Sequence, residues 1–236
     1  MRICFSLLSI GPLYAASVSG RVELRDSRET AVRKAKNYSG VVVWLEPASG
    51  NAARAPATKL RAKMIQKNKT FIPHVLAIRV GATVDFPNLD PIYHNAFSNY
   101  DGQLFDVSLY PPGSSRSVRF TRPGIVRVFC NIHASMSAVI VVLDTPYFAV
   151  TDAKGTFEIS DVPPGQYVMK AFHERATPAT LDALRRQVTV TDDDDAVLSP
   201  IAISESGYLP IPHKNKFGHD YPPAPDEGGL YPTSRK

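Results

Sequence analysis

Between residues 18 and 203 the chain is a succession of short apolar or alternating runs, cut by proline and glycine every few residues. Runs of this length and period predict strands rather than long helices. Val18 to Leu24 alternates, and Val41-Val42-Val43-Trp44-Leu45 is continuous enough for a strand buried on both faces. Between them Asp26 to Tyr38 is polar, an excursion from the sheet. Val75 to Val80 and Thr83 to Phe86 form two strands with a turn at Gly81-Ala82, followed by a loop from Pro87 to Pro91. Ser117 to Thr121 and Ile125 to Phe129 are separated by Arg122-Pro123-Gly124, and Ala138 to Leu143 resumes the apolar pattern.

From Pro146 onward the pattern restarts. Phe148 to Asp152 and Thr156 to Ile159 flank the turn Ala153-Lys154-Gly155, as in a hairpin. Asp161 to Gly165 turns the chain into a strand from Gln166 to His173. Thr177-Pro178, followed by Leu181 and Leu184, predicts one helix over 177–186. Val188 to Val190 and Ala196 to Ile203 close the strand series, and the segment after Ser204 lacks periodicity, as an extended tail does. The expected fold class is all-β.

The first residues change where the protein is expected to act. Met1-Arg2, the apolar run Ile3 to Tyr14 and Ala15-Ala16-Ser17 have the order of an export signal, so residues 1–16 are read as a signal peptide. The product is then periplasmic or secreted, with no membrane span after signal removal. Of the two cysteines, Cys4 leaves with the signal, and Cys130 has no partner for a disulfide. A lone thiol in an oxidising compartment is protected when it ligates a metal. The net charge of +5 is concentrated in Arg54, Lys59, Arg61, Lys63, Lys67 and Lys69, while Asp192 to Asp195 is acidic. The basic stretch lacks the elements of a nucleic-acid reader and is read as a solvated loop, with a docking face for an acidic redox partner as the alternative.

The segment Phe129-Cys130-Asn131-Ile132-His133-Ala134-Ser135-Met136 carries the chemistry. It puts a thiolate, an imidazole and a thioether into one short loop between two strands. Soft sulfur donors with imidazole suit copper, and two His, one Cys and a weak axial Met form the blue-copper set. His94 is the best second imidazole, and the neighbouring Asn95 N–H can point at the Cys130 sulfur. Alternative readings explain less. Structural zinc takes four strong donors and no thioether, and a nucleophilic Cys-His pair needs an orienting group and an oxyanion site. His74 is expected to act structurally rather than as a ligand, and His173, His213 and His219 as ordinary polar residues.

Phe71-Ile72-Pro73, Val80 to Asp90, His94-Asn95 and Cys130-x-x-His133-x-x-Met136 together resemble a plastocyanin/amicyanin-like cupredoxin. Thr151 to Phe157, Val162 to Tyr167, Ser19 to Val22 and Val41 to Pro47 resemble a carboxypeptidase regulatory-like, or transthyretin-like, module; the combination is similar to methylamine utilisation-type proteins. The resemblance implies a cupredoxin Greek-key β-sandwich plus a small transthyretin-like β-sandwich. It divides the chain into 17–50 (opening strands, the module's first half if the copper core interrupts it), 51–145 (copper domain), 146–205 (the regulatory-like sandwich) and 206–236 (tail). It implies one copper ion, Cu(I)/Cu(II), on His94, Cys130, His133 and Met136. His133, ringed by Pro91, Ala134 and Ala138, is the expected electron port. The implied function is a one-electron carrier rather than an enzyme, serving a c-type cytochrome or a periplasmic dehydrogenase. Copper handling without a redox partner is the alternative.

Overall fold

The computed structural model describes residues 16–49, 61–99, 102–191, 195–210 and 212–222. The residues read as a signal, apart from Ala16, lie outside this set, as do Arg54, Lys59 and 192–194 of the acidic run. The chain divides into two units with boundaries at 56/57, 144/145 and 208/209, so the first unit is discontinuous in sequence and the second takes the tail. Among the described residues, no helix is long and apolar enough to cross a membrane.

The chain starts with β1 (Ala16–Arg25), a six-residue helix α1 (Thr30–Ala35) and β2 (Val42–Pro47). It then builds β3 (Arg61–Lys63), β4 (Ile65–Lys67), β5 (Thr70–Ile72), β6 (Val75–Arg79), β7 (Thr83–Pro87), β8 (Phe97–Ser98), β9 (Phe105–Asp106), β10 (Ser115–Arg119), β11 (Gly124–Phe129) and β12 (Ser137–Leu143). The last series is β13 (Phe148–Val150), β14 (Thr156–Val162), β15 (Gly165–Phe172), α2 (Pro178–Ala183), β16 (Arg186–Val190), β17 (Ala196–Val197) and β18 (Ile201–Ser204). The protein is all-β apart from these two short helices among the described residues.

In the first unit, β1 pairs antiparallel with β14 and parallel with β17 and β18, while the second sheet runs β13-β2-β15-β16. The opening strands thus pair with strands that follow residue 145. Even-numbered residues of β1 (Val18, Val22, Leu24) meet Val41, Val43, Leu45, Phe157, Ile159 and Met169 in one core. Gly155 has φ +79°, and a Cβ there would stand 2.1 Å from the Val22 carbonyl oxygen, so this turn requires glycine. Pro163-Pro164 carries the chain from β14 in one sheet to β15 in the other.

The second unit stacks a three-stranded sheet, β10-β7-β3, and a five-stranded sheet, β6-β12-β11-β8-β9, around a shared core. Phe86, Phe120, Val126, Val128 and Ile140 fill it, and Cys130 and Met136 belong to the same cluster. This two-sheet packing is the sandwich expected for the metal-bearing half of the chain.

Three local expectations are corrected, and one, the excursion, is given its form. From Arg61 the basic stretch is not a loop, because Arg61, Lys63 and Lys67 point outward while Ala62, Met64 and Gln66 point inward over β3 and β4. Arg61 forms two 2.7 Å bonds to the Asp85 carboxylate. The excursion at 26–38 contains α1, whose single buried residue, Val32, leaves no periodic stripe to read. The predicted helix at 177–186 ends at Ala183, since Arg186 already pairs with Met169 in β15; its start is as expected, with Thr177 Oγ1 accepting the Thr180 N–H at 3.2 Å. The last predicted strand is split into β17 and β18 around Pro200, which has no N–H to donate.

A buried polar knot closes the first unit. The Glu205 carboxylate accepts bonds from Ser27 Oγ (2.7 Å), His173 Nε2 (2.9 Å) and Arg175 Nε (3.1 Å). Burial pushes its pKa up, but the three donors outweigh this and hold it below the usual carboxylate range. Asp85 behaves alike: burial raises it, and Ser117 and Arg61 bring it down further. Carboxyls depressed in the folded state stabilise fully above their unfolded pKa and lose that contribution as pH falls through the folded value. Urea midpoints are therefore expected to hold above about pH 5 and to fall progressively below about pH 4. Glu205→Ala, which strands His173 and leaves Arg175 with Glu174 alone, is expected to cost about 3 kcal/mol in urea denaturation at pH 7.

Candidate metal centre

Three segments of the second unit converge at the end of β11. Cys130 directly follows that strand, and the chain turns back through His133 before β12 begins at Ser137. The turn is pinned at its base, as Cys130 N–H donates to the Met136 carbonyl at 3.2 Å and Met136 N–H donates to the His133 carbonyl at 3.1 Å. Apolar anchors hold the two ends, because Cys130 and Met136 are both fully buried in the core. Between them, Ile132, Ala134 and Ser135 are exposed and His133 is half-buried.

His94 reaches this turn from the loop after β7, and two constraints fix it. Its backbone exchanges two hydrogen bonds with Tyr110, at 3.2 and 2.9 Å. Its Nε2 donates to Asp90 Oδ2 at 2.8 Å, which leaves Nδ1 as the lone-pair nitrogen facing the Cys130 sulfur. Asp90 is itself held by the N–H groups of Asn68 (2.6 Å) and Lys69 (2.8 Å), in the turn between β4 and β5. Burial raises its pKa, but the Lys69, His94 and Asn68 donors lower it more, so the carboxylate stays charged. Asn88, fully buried, shapes the loop by accepting the Asp90 N–H and donating to the Ile92 carbonyl.

The ligand atoms of His94, Cys130 and His133 all lie within 4.8 Å of one another. Cys130 Sγ stands 3.5 Å from His133 Nδ1 and 3.9 Å from His94 Nδ1. Donors bonded to one ion at about 2.0–2.3 Å with angles between tetrahedral and trigonal stand about 3.5–4 Å apart, so this spacing fits a single metal ion. Electrostatics agree. Burial pushes the Cys130 thiol up, against N–H groups of Ile132, Asn95 and His133 that favour the thiolate. Burial, with the nearby His94 and Lys69, lowers His133, which keeps its imidazole neutral and able to donate a lone pair at pH 7. A buried sulfur given amide donors and faced by two imidazole nitrogens is a site for a soft or borderline cation.

Asn95 does what its position suggested, and more. Besides its N–H on the sulfur, its side chain ties the two ligand segments together: Oδ1 accepts the Asn131 N–H at 3.0 Å and Nδ2 donates to Asp106 Oδ1 at 2.7 Å. Gln66 Nε2 holds the Asn95 carbonyl at 3.0 Å, and Tyr110 OH is shared between Gln66 Oε1 and the Phe86 carbonyl. His74 stays outside the cluster and donates from Nδ1 to the Ser137 carbonyl. Ala138, expected beside the port, lies in the core, and Ile132 takes the exposed position instead. Asp90 is the main site residue that sequence reasoning passed over; its four-residue spacing from His94 was the signal available.

The fold and the site define an all-β protein with a His-Cys-His cluster that could hold a metal ion. No protein-family model matches the chain, and no curated protein matches it. Among solved structures it is similar to a purple cupredoxin from Nitrosopumilus maritimus (24% identity over 35% of this chain and 99% of that one, TM-score 0.33). It is also similar to a copper-containing nitrite reductase from Thermus scotoductus SA-01 (29% identity, 42% of this chain and 25% of that one, TM-score 0.35). A third is an oxidized amicyanin mutant (20% identity, 38% of this chain and 88% of that one, TM-score 0.34).

Replacing Asp90 with Asn removes the charge that orients His94 while keeping the shape of the side chain. Metal affinity, measured by chelator competition, is expected to fall about 10- to 100-fold. Unchanged affinity would mean that the Tyr110 backbone pair alone places His94.

Proposed function

We propose that this chain is a type 1, blue copper protein with one copper ion on His94, Cys130, His133 and Met136, and that it carries single electrons in the periplasm or outside the cell. The observation that carries this reading is the Cys130 sulfur, buried, given backbone N–H donors, and placed 3.5 and 3.9 Å from two imidazole nitrogens. Bound copper supplies a reversible one-electron couple. The residues supply the rest. Asp90 keeps His94 in the ligating tautomer, the pinned turn keeps Cys130 and Met136 at fixed places, and the core excludes water from the sulfur. A site that does not rearrange between oxidation states suits fast electron exchange.

His133 is the half-buried member of the set and so the port of the proposal. Around it Pro91 and Ala134 are exposed, and Ile132 is 45% exposed, an apolar rim fit for brief contact with a c-type cytochrome or a periplasmic dehydrogenase. Lys69 lies close enough to influence His133, which favours an acidic partner. Against a copper-handling role, His213 in the tail is already engaged: Nε2 donates to the Ala134 carbonyl at 2.8 Å, so that nitrogen is not offered to a second metal ion.

The test is optical. Protein loaded with Cu(II) is expected to show an intense thiolate-to-copper band in the visible, bleached by reductant and absent from Cys130→Ser. A colourless wild type that takes up zinc stoichiometrically would sink the reading.

A further inference from the structure

The metal-bearing turn has a support that its own fold does not provide. Residues 212–222, which follow the whole of the first unit in sequence, lie along the turn and touch it at successive points. Tyr221 OH donates to the Cys130 carbonyl at 2.8 Å. His213 Nε2 donates to the Ala134 carbonyl at 2.8 Å, and its ring stacks on Phe129 with centroids 4.0 Å apart and planes at 23°. Lys216 N–H donates to Asn131 Oδ1 at 2.9 Å, and its Nζ donates to Asp106 Oδ2 at 2.7 Å. Asp106 is the carboxylate that also receives Asn95 Nδ2. The segment therefore holds both the Cys130 side and, through Asp106 and Asn95, the His94 side.

It is shaped to do this. Asn215 caps its own turn, accepting the N–H groups of Phe217 and His219 on Oδ1, while its N–H donates to the His219 carbonyl at 2.9 Å. The turn brings Tyr221 back beside His213, their rings edge to face at 5.1 Å.

We propose that residues 212–222 are a working part of the metal centre, a strap in which His213 and Tyr221 are positioning residues that hold the Cys130–Met136 turn in its ligating shape before and after the metal binds. The two carbonyls they engage, of Cys130 and Ala134, flank His133 in sequence. Without these bonds the turn retains its two internal pins, the Asn131–Asn95 bond and the buried anchors. Its middle then samples other shapes, and each departure weakens the His133 contact with the sulfur side. The part of this proposal that concerns copper rests on the function proposed above; the part that concerns the turn does not.

The test uses the full chain with Tyr221→Phe, which removes only the hydroxyl, His213→Ala, which removes the stack and the bond, and Phe217→Ala as an exposed control on the same segment. In the metal-free protein, amide hydrogen exchange at Cys130 and Met136 is expected to quicken about fivefold in either strap variant, the worth of one net hydrogen bond. Exchange in β1 and β2 and in the control variant stays at the wild-type rate. In the copper-loaded protein, release to a chelator is expected to quicken by a similar factor, and the thiolate-to-copper band to shift. His213→Gln, which can still reach the Ala134 carbonyl, is expected to recover part of both. Wild-type exchange rates at Cys130 and Met136 in both variants would overturn the strap whether or not copper binds. Quickened exchange in a protein that shows no copper band would leave the strap standing and remove the copper reading.

Discussion

Sulfur in an apolar interior is easily kept as a thiol and costly to keep as a thiolate, and the second unit is organised around that conflict at Cys130. Its side chain is fully buried among aliphatic and aromatic neighbours, yet three backbone N–H groups are turned toward it and two imidazoles face it. Each of those groups needs its own anchor. The Asn95 amide is set by Gln66 and Asp106, the Ile132 and His133 amides by a turn closed on Met136, and the His94 ring by Asp90. Gln66 is in turn satisfied by Tyr110, which also exchanges backbone bonds with His94. Removing one member leaves a buried polar group unpaired, so the network has a cooperative interest in staying whole.

Much of this was legible from residue types. The strands with clean apolar patterns, β1, β2, β6, β7, β11, β12 and β15, follow from period and turn residues, and the His-Cys-His grouping from the donors around Cys130. What escaped did so for physical reasons. β3 and β4 alternate, but their outward side chains are basic, so charge masked the period. Gln66 and Asn88 carry no mark of burial in the sequence, and only the fold shows both fully buried and fully used. The tail has no period at all because its structure is dictated by the turn it lies on, and bonds from side chains to distant carbonyls leave no trace in local sequence.

The two units treat buried charge in contrasting ways. In the first, Glu205 gathers Ser27, His173 and Arg175 into a closed set in which the carboxylate meets its counter-charge directly. In the second, Asp90 receives two backbone N–H groups and one imidazole. That carboxylate accepts the Nε2 N–H of His94 and so fixes Nδ1 as the nitrogen that faces Cys130.

The tail's position also sets an order of events during synthesis. The first unit is begun by β1 and β2 and cannot be finished until β13 to β18 have emerged, roughly a hundred residues later, with the second unit's sandwich made in between. His213 and Tyr221 come after all of these. The turn at Cys130 accordingly exists first in an unbraced form and receives its outer contacts only once residues 213–221 have been made. A polypeptide that ends before residue 213 lacks the bonds to the Cys130 and Ala134 carbonyls altogether.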